Sequence, residues 1–264
     1  MININELTIK NNAIFNIVMM RPNLCRQCLE RILNIKISDI KYLEHEKTLD
    51  QVITAKSIRL DVYCEDDNSV YNIELQNGII EELPKRSRYY QSMIDIELLS
   101  KGASYSDLKN NFVIVICTFD SHHKKRHLYT FRNVCIEDTD IELGDCTSKI
   151  FLNTKGELDD IPKSLRNFLE YIDTGEVTDD YTKELEDTVI EVKNDKKWRN
   201  AIMTVEEYAE ARAKHDAMLA REEVRDSINE LIRLLIEDGR QDELIASTTD
   251  RELQDKLLQE YNLK

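Results

Sequence analysis

Residues 57–77 read SIRLDVYCEDDNSVYNIELQN, two alternating apolar runs around the polar cluster Glu65-Asp66-Asp67-Asn68-Ser69. This pattern predicts a β-hairpin. Side chains two apart on a strand share a face. Leu60, Val62, Ile73 and Leu75 then make one apolar face, and Arg59, Asp61, Tyr63, Asn72, Glu74 and Gln76 make the other. A turn of two residues (67–68) or four (66–69) pairs positions whose numbers sum to 135. Odd loops would split the apolar residues between faces, so an even loop is expected. That register sets Asp61 opposite Glu74 and Arg59 opposite Gln76. Directly opposed carboxylates repel. A divalent cation between them would turn the cost into a site, since hard cations take oxygen ligands. The alternative is a solvated polar face on which two acids cross by chance, and spacing alone does not separate the two.

The chain has 264 residues, enough for one large domain or a domain with an appendage. One-third of it is charged and the formal net charge is −15. That balance argues against a globally basic nucleic-acid surface but leaves room for a local basic groove. No signal-peptide pattern and no membrane-length apolar run is present, so a cytoplasmic location without a membrane role is expected. The six cysteines fall mostly within apolar runs, where a reduced thiol behaves as a small hydrophobe. Cys25-x-x-Cys28 has no second CxxC and no His at finger spacing, which disfavours zinc.

Outward from the hairpin, residues 23–35 follow helical spacing behind Pro22, and residues 37–49 alternate loosely as a first strand. After Pro84, Tyr90, Ile94, Leu98 and Leu99 mark a helix that Gly102 would stop. Lys85, Arg86 and Arg88 crowd its first turn, where cations oppose the helix dipole; a phosphate backbone would be a good partner, and the alternative, which the residues alone favour, is a solvated turn near the carboxylate-rich surface. Residues 111–119 read as a buried central strand. Residues 120–127, DSHHKKRH, form a locally basic loop, and 128–136 return as a strand paired with the preceding one. The three histidines there complete no metal-ligand spacing, and contact with an anionic partner is the better reading. Residues 149–153 suggest another strand and 164–171 a short helix. Beyond residue 179 the chain is helical and densely charged. Thr204-x-x-Glu207 and Thr249-x-x-Glu252 look like capping boxes, and Trp198, Ile202, Val205 and Tyr208 can share a side. Val224, Ile228, Leu231, Ile232 and Leu235 form an apolar stripe ended by Gly239. The stripe packs within the chain or joins a second copy.

The order helix, strand, hairpin, helix, strand, strand, with an acid on one hairpin strand and Glu-x-Gln on the next, resembles the PD-(D/E)XK nuclease superfamily. It is most similar to the transposase-associated branch of recombination-promoting nucleases. Residues 59–63 (RLDVY), 71–76 (YNIELQ), 88–92 (RYYQS) and the 112–120 run carry the resemblance. It implies an α/β fold, a restriction-endonuclease-like core with a mixed sheet over residues 1–175, followed by a charged helical region over 176–264. It further implies Mg²⁺-dependent hydrolysis of DNA phosphodiesters, with Mn²⁺ as the alternative ion. Asp61 and Glu74 match the metal-binding carboxylates, Gln76 stands at the lysine position, and Glu30 is similar in place to an accessory catalytic acid. Arg59, Lys85, Arg86, Arg88, Lys124, Lys125 and Arg126 are the expected DNA contacts. Gln76 departs from the superfamily's lysine and can orient water but supplies no positive charge. That departure supports a second reading, a catalytically weak nuclease fold acting as a DNA-binding or oligomerising regulatory module.

Overall fold

A computed structural model describes residues 3–37, 39–49 and 58–263. The chain divides into two compact units, Met1–Ile202 and Met203–Lys264. Among the described residues the first is built on a six-stranded mixed sheet in the order β1 (Tyr42–Leu49), β2 (Ile58–Glu65), β3 (Ser69–Gln76), β4 (Asn110–Cys117), β6 (Thr147–Asn153), β5 (Leu128–Phe131). Strands β1, β2 and β3 run antiparallel, and β4 and β6 join β3 in parallel.

Two layers of helix cover the sheet. On one face lie α1 (Asn12–Met19), α2 (Pro22–Leu33), α4 (Lys163–Thr174) and α5 (Asp180–Asn194), whose apolar sides share a core with Val62, Cys64, Ile73, Leu75, Ile114, Ile116, Ile150 and Leu152. On the other lies α3 (Leu83–Leu98), whose Tyr90, Met93 and Ile94 pack with Ile58, Leu60, Tyr63 and Val70. Leu83 packs there with Val113, Val115 and Cys117. Strand β3 is therefore covered on both faces, as expected of a central strand in a parallel-rich sheet.

The hairpin keeps the expected register, Val62 opposite Ile73 and Glu65 opposite Val70. Its turn is held by Asp66, whose Oδ1 accepts from the Asn68 and Ser69 amides at 2.9 and 2.8 Å, while Oδ2 accepts from the buried Tyr71 hydroxyl at 2.8 Å. One expectation fails here. Leu60 and Val62 do not share a core: Leu60 lies under α3 and Val62 on the opposite side. The alternation slips between them, at Asp61. Beside it, the β1–β2 ladder skips the Glu46–Asp61 pair, and Glu46 takes φ +53°, a left-handed conformation rare for a side-chain-bearing residue.

Strand β5 (Leu128–Phe131) also differs from the reading above. It pairs antiparallel with β6, not with β4. The 120–127 segment is no hairpin turn. Asp120 accepts from the amides of His122, His123 and Lys125 and from the Tyr129 hydroxyl, a closed loop that carries the chain past β6 to the sheet edge.

Past residue 175 the first unit continues: α5 buries Tyr181, Leu185, Val189 and Val192 in the core beneath α1 and α2. Ile202 joins the same core with Trp198 against it. The side chains of Val205 and Tyr208, and Ser57 at the head of the hairpin stretch, lie outside the described residues. Helix α6 (Lys196–Glu237) runs through Thr204, so that position is helix interior and not an N-cap; after α7 (Gln241–Ser247), α8 (Arg251–Glu260) is capped by Asp250 rather than Thr249. In the second unit, Leu231 and Leu235 of the stripe pack with Leu257 and Leu258 of α8, while Val224 stays exposed. Gly239, at φ +71°, follows the end of α6 as expected. No helix among the described residues is long and apolar enough to cross a membrane.

Candidate active site

Asp61 and Glu74 meet under α3, at the edge where β3, β4 and β6 end together: Gln76 aligns with Cys117, and Cys117 with Asn153. The β2–β3 ladder stops at Val62 and Ile73. Beyond it each acid reaches the other's strand. The Asp61 amide donates to Glu74 Oε1 at 3.1 Å, and the Leu75 amide donates to Asp61 Oδ2 at 3.2 Å. These cross-links replace ladder hydrogen bonds, so the carboxylates are held by backbone rather than by mobile side chains.

The solvated-face alternative does not survive for Glu74, which is only 4% exposed. Burial, then the charge of Asp61, pushes its carboxyl up to about 8. Burial also raises Asp61, against the lowering effect of the Leu75 amide. A buried and a half-buried acid that both disfavour their own ionisation suit a hard divalent cation, which would relieve both effects at once. No group of three or more Asp, Glu, His or Cys suited to a metal occurs among the described residues. A donor set this sparse fits an ion that keeps waters and takes substrate oxygens, as Mg²⁺ does.

Gln76 follows on the same strand face. Its Nε2 donates to the Gly78 carbonyl at 2.9 Å, and its Oε1 accepts from Arg86 at 3.5 Å. Arg86 also stands 3.5 Å from Glu74 Oε2. The strand end is pinned from the other side, where Asn12 donates to the Leu75 carbonyl and Asn77 donates to Asn12 Oδ1 and the Lys10 carbonyl.

Glu30 is not brought to these acids. It sits on α2, where Arg26, Lys36 and the Ile37 amide take its carboxylate, and α2 packs on the sheet face opposite α3. The expected basic contacts, Arg86 apart, separate into two groups. Lys85 and Arg88 on α3 and Lys124 in the 120–127 loop are exposed, with no ion-pair partner among the described residues. Arg59, Lys125 and Arg126 already lie beside Glu46, Glu157 and Asp160. Arg86 belongs to the acids themselves.

Glu46 and Tyr90 were not among the residues expected here. Glu46 adds a charge that pushes Asp61 further up, and the Tyr90 hydroxyl accepts from Arg86 Nε at 2.6 Å. Glu46 arrives only because β1 pairs with β2, which no local pattern signals. The Arg86–Tyr90 spacing of four was visible as one helix face.

A mixed sheet flanked by helices on both faces, with two acids crossing at the end of a hairpin, is the restriction-endonuclease-like fold. The model of one family, the PD-(D/E)XK nuclease family transposases, matches residues 23–233, and the chain belongs to that family. It is thus a nuclease-fold protein of a family linked to mobile elements, and PD-(D/E)XK nucleases generally use divalent metal ions. No curated protein and no solved structure matches it.

Proposed function

We propose that the protein is a divalent-metal-dependent DNA endonuclease whose ion, Mg²⁺ or Mn²⁺, is held by Asp61 and Glu74. The observation that carries this reading is the backbone-locked pairing of a buried Glu74 with a half-buried Asp61. The ion would supply charge stabilisation at the phosphate and ease loss of a proton from water. The chain's own groups do the positioning. Gln76 presents an amide that can orient the attacking water, and α3 sets Arg86 beside Glu74. Water oxygen bonds to phosphorus, the bond from phosphorus to the leaving sugar oxygen breaks, and that oxygen takes up a proton. Lys85, Arg88 and Lys124 are the exposed cations for flanking phosphates; Arg59, Lys125 and Arg126 would exchange their acidic neighbours for DNA.

Plasmid nicking with and without Mg²⁺ tests this. Wild type should nick only with a divalent ion, and Asp61→Ala and Glu74→Ala should not. Equal cleavage by wild type and Asp61→Ala, or none with any divalent ion, sinks the nuclease reading. One observation favours a second reading: Gln76, with Nε2 bonded to Gly78, brings no charge of its own. Salt-sensitive DNA binding without cleavage would point to a regulatory module of this fold. Self-association through the second unit is a separate proposal, supported by the exposed Val224 and tested by a mass that falls to monomer when residues 203–264 are removed.

A further inference from the structure

An amide at the lysine position leaves a developing negative charge at phosphorus without a cation from β3. A cation nonetheless reaches the same place from α3. Arg86 holds Nη1 3.5 Å from Gln76 Oε1 and Nη2 3.5 Å from Glu74 Oε2. Its Nε donates to the Tyr90 hydroxyl at 2.6 Å, and the side chain is 36% exposed. It stands in the first turn of α3, where the helix dipole opposes it, and no first-turn acid on that helix compensates. The crossed acids account for its presence.

We propose, on the nuclease reading above, that Arg86 is the phosphate-binding cation of this site, supplying from α3 the charge that Gln76 lacks. Charge-assisted N–H···O bonds usually span about 2.7–2.9 Å. At 3.5 Å the contacts to Glu74 and Gln76 are long, so both Nη groups can exchange these partners for another. The Nε bond to Tyr90 fixes the inner end of the guanidinium meanwhile. With a divalent ion held by Asp61 and Glu74, Arg86 would be freed from that carboxylate, and its Nη groups would donate to a non-bridging phosphate oxygen instead. The guanidinium fork matches phosphate and keeps its proton, so it acts as fixed charge and leaves proton transfer to solvent.

The test compares wild type with Arg86→Met, Arg86→Lys and Arg86→Met/Gln76→Lys. Single-turnover cleavage is measured in Mg²⁺, the dissociation constant for uncut DNA in Ca²⁺ across salt, and folding by thermal melting. Arg86→Met should cleave on the order of 100-fold more slowly at saturating DNA. Its log–log salt slope for binding should shrink by about one, the loss of one phosphate contact. Arg86→Lys should keep the slope. Lysine at position 76 should restore cleavage at least about tenfold over Arg86→Met, since it returns the charge from β3. Folded Arg86→Met with wild-type rate, an unchanged salt slope, or no recovery from Gln76→Lys overturns the proposal. If no variant cleaves, the nuclease reading falls, and the salt slope alone decides whether Arg86 touches phosphate.

Discussion

The main-chain amide of Asp61 donates to Glu74 Oε1 while the Leu75 amide donates back to Asp61 Oδ2, so each acid is fixed by the other's strand. Neither can turn away from its neighbour without losing a backbone partner. Burial raises the proton affinity of both, and at Glu74 the charge of Asp61 adds to it.

This pairing makes stability depend on pH. Glu74 rises from 4.5 to about 8, chiefly through burial, so the native state holds a proton that the unfolded chain releases at lower pH. Its stabilising effect is complete below about pH 4.5 and is lost as pH rises through about 8. Metal-free protein should melt at a lower temperature at about pH 9 than at about pH 6. Glu74→Gln should flatten that fall and gain on the order of 1–3 kcal/mol at the alkaline end. A divalent ion needs both acids ionised, so its affinity should climb across the same range, with proton release measurable by calorimetry. A melting temperature in chelator that is level from pH 6 to 9, within about 1 °C, would contradict the burial argument.

Much of this was legible in the sequence. An even loop between two alternating runs set the pairing of positions by parity, and Val62 opposite Ile73 obeys it. Parity could not show that Leu60 and Val62 part company, because the slip at Asp61 depends on a neighbouring strand whose Glu46 is left-handed. Nor could the loop at Asp120 announce that β5 would skip β4. A parallel neighbour for β4 lay further along the chain, and local sequence carries no record of it. Glu30 resembled an accessory acid in its place along the chain, yet helix α2 turns it to the other sheet face.

The hairpin turn should matter to the site through register. Asp66 is 8% exposed and accepts three hydrogen bonds, from Asn68, Ser69 and Tyr71. Asp66→Ala leaves those donors without their acceptor and should cost about 2–4 kcal/mol in urea unfolding. Tyr71→Phe removes one of the three and should cost about 1 kcal/mol. Metal affinity should fall with Asp66→Ala, since the register that opposes Asp61 to Glu74 begins at this turn. Equal stabilities for the two variants would show that the Asp66 amide contacts contribute nothing.

Gly156 lies just beyond β6, near the strand ends that frame the site, and has no room for a side chain. A Cβ there would stand 2.4–2.6 Å from Cγ, Cδ2 and Nδ1 of His127. His127 cannot easily yield: it is 7% exposed, and its ring meets Asp160 at 3.1 Å. Gly156→Ala should destabilise by about 1–3 kcal/mol through overpacking. Adding His127→Ala should recover part of that loss, a non-additive pair in a double-mutant cycle. Simple addition of the two costs would mean that the ring and the glycine do not compete for the same space.

The second unit should depend on its leucines more than on its ion pairs. Leu235 is fully buried with Leu231, Leu257 and Leu258, so Leu235→Ala opens a cavity in a small core and should cost about 2–5 kcal/mol. Arg240 bridges Glu243 and Glu260 at 2.7 and 2.6 Å, but solvent screens such surface pairs. Arg240→Ala should therefore change stability far less than Leu235→Ala. Hydrogen exchange resolved along the chain is the measurement. Leu235→Ala should lose protection across α6 beyond residue 228 and across α8, while β3 and β4, in the other compact unit, keep theirs. If Leu235→Ala leaves α8 protected, the leucine cluster is not what holds the second unit together. If β3 loses protection as well, the two units unfold as one.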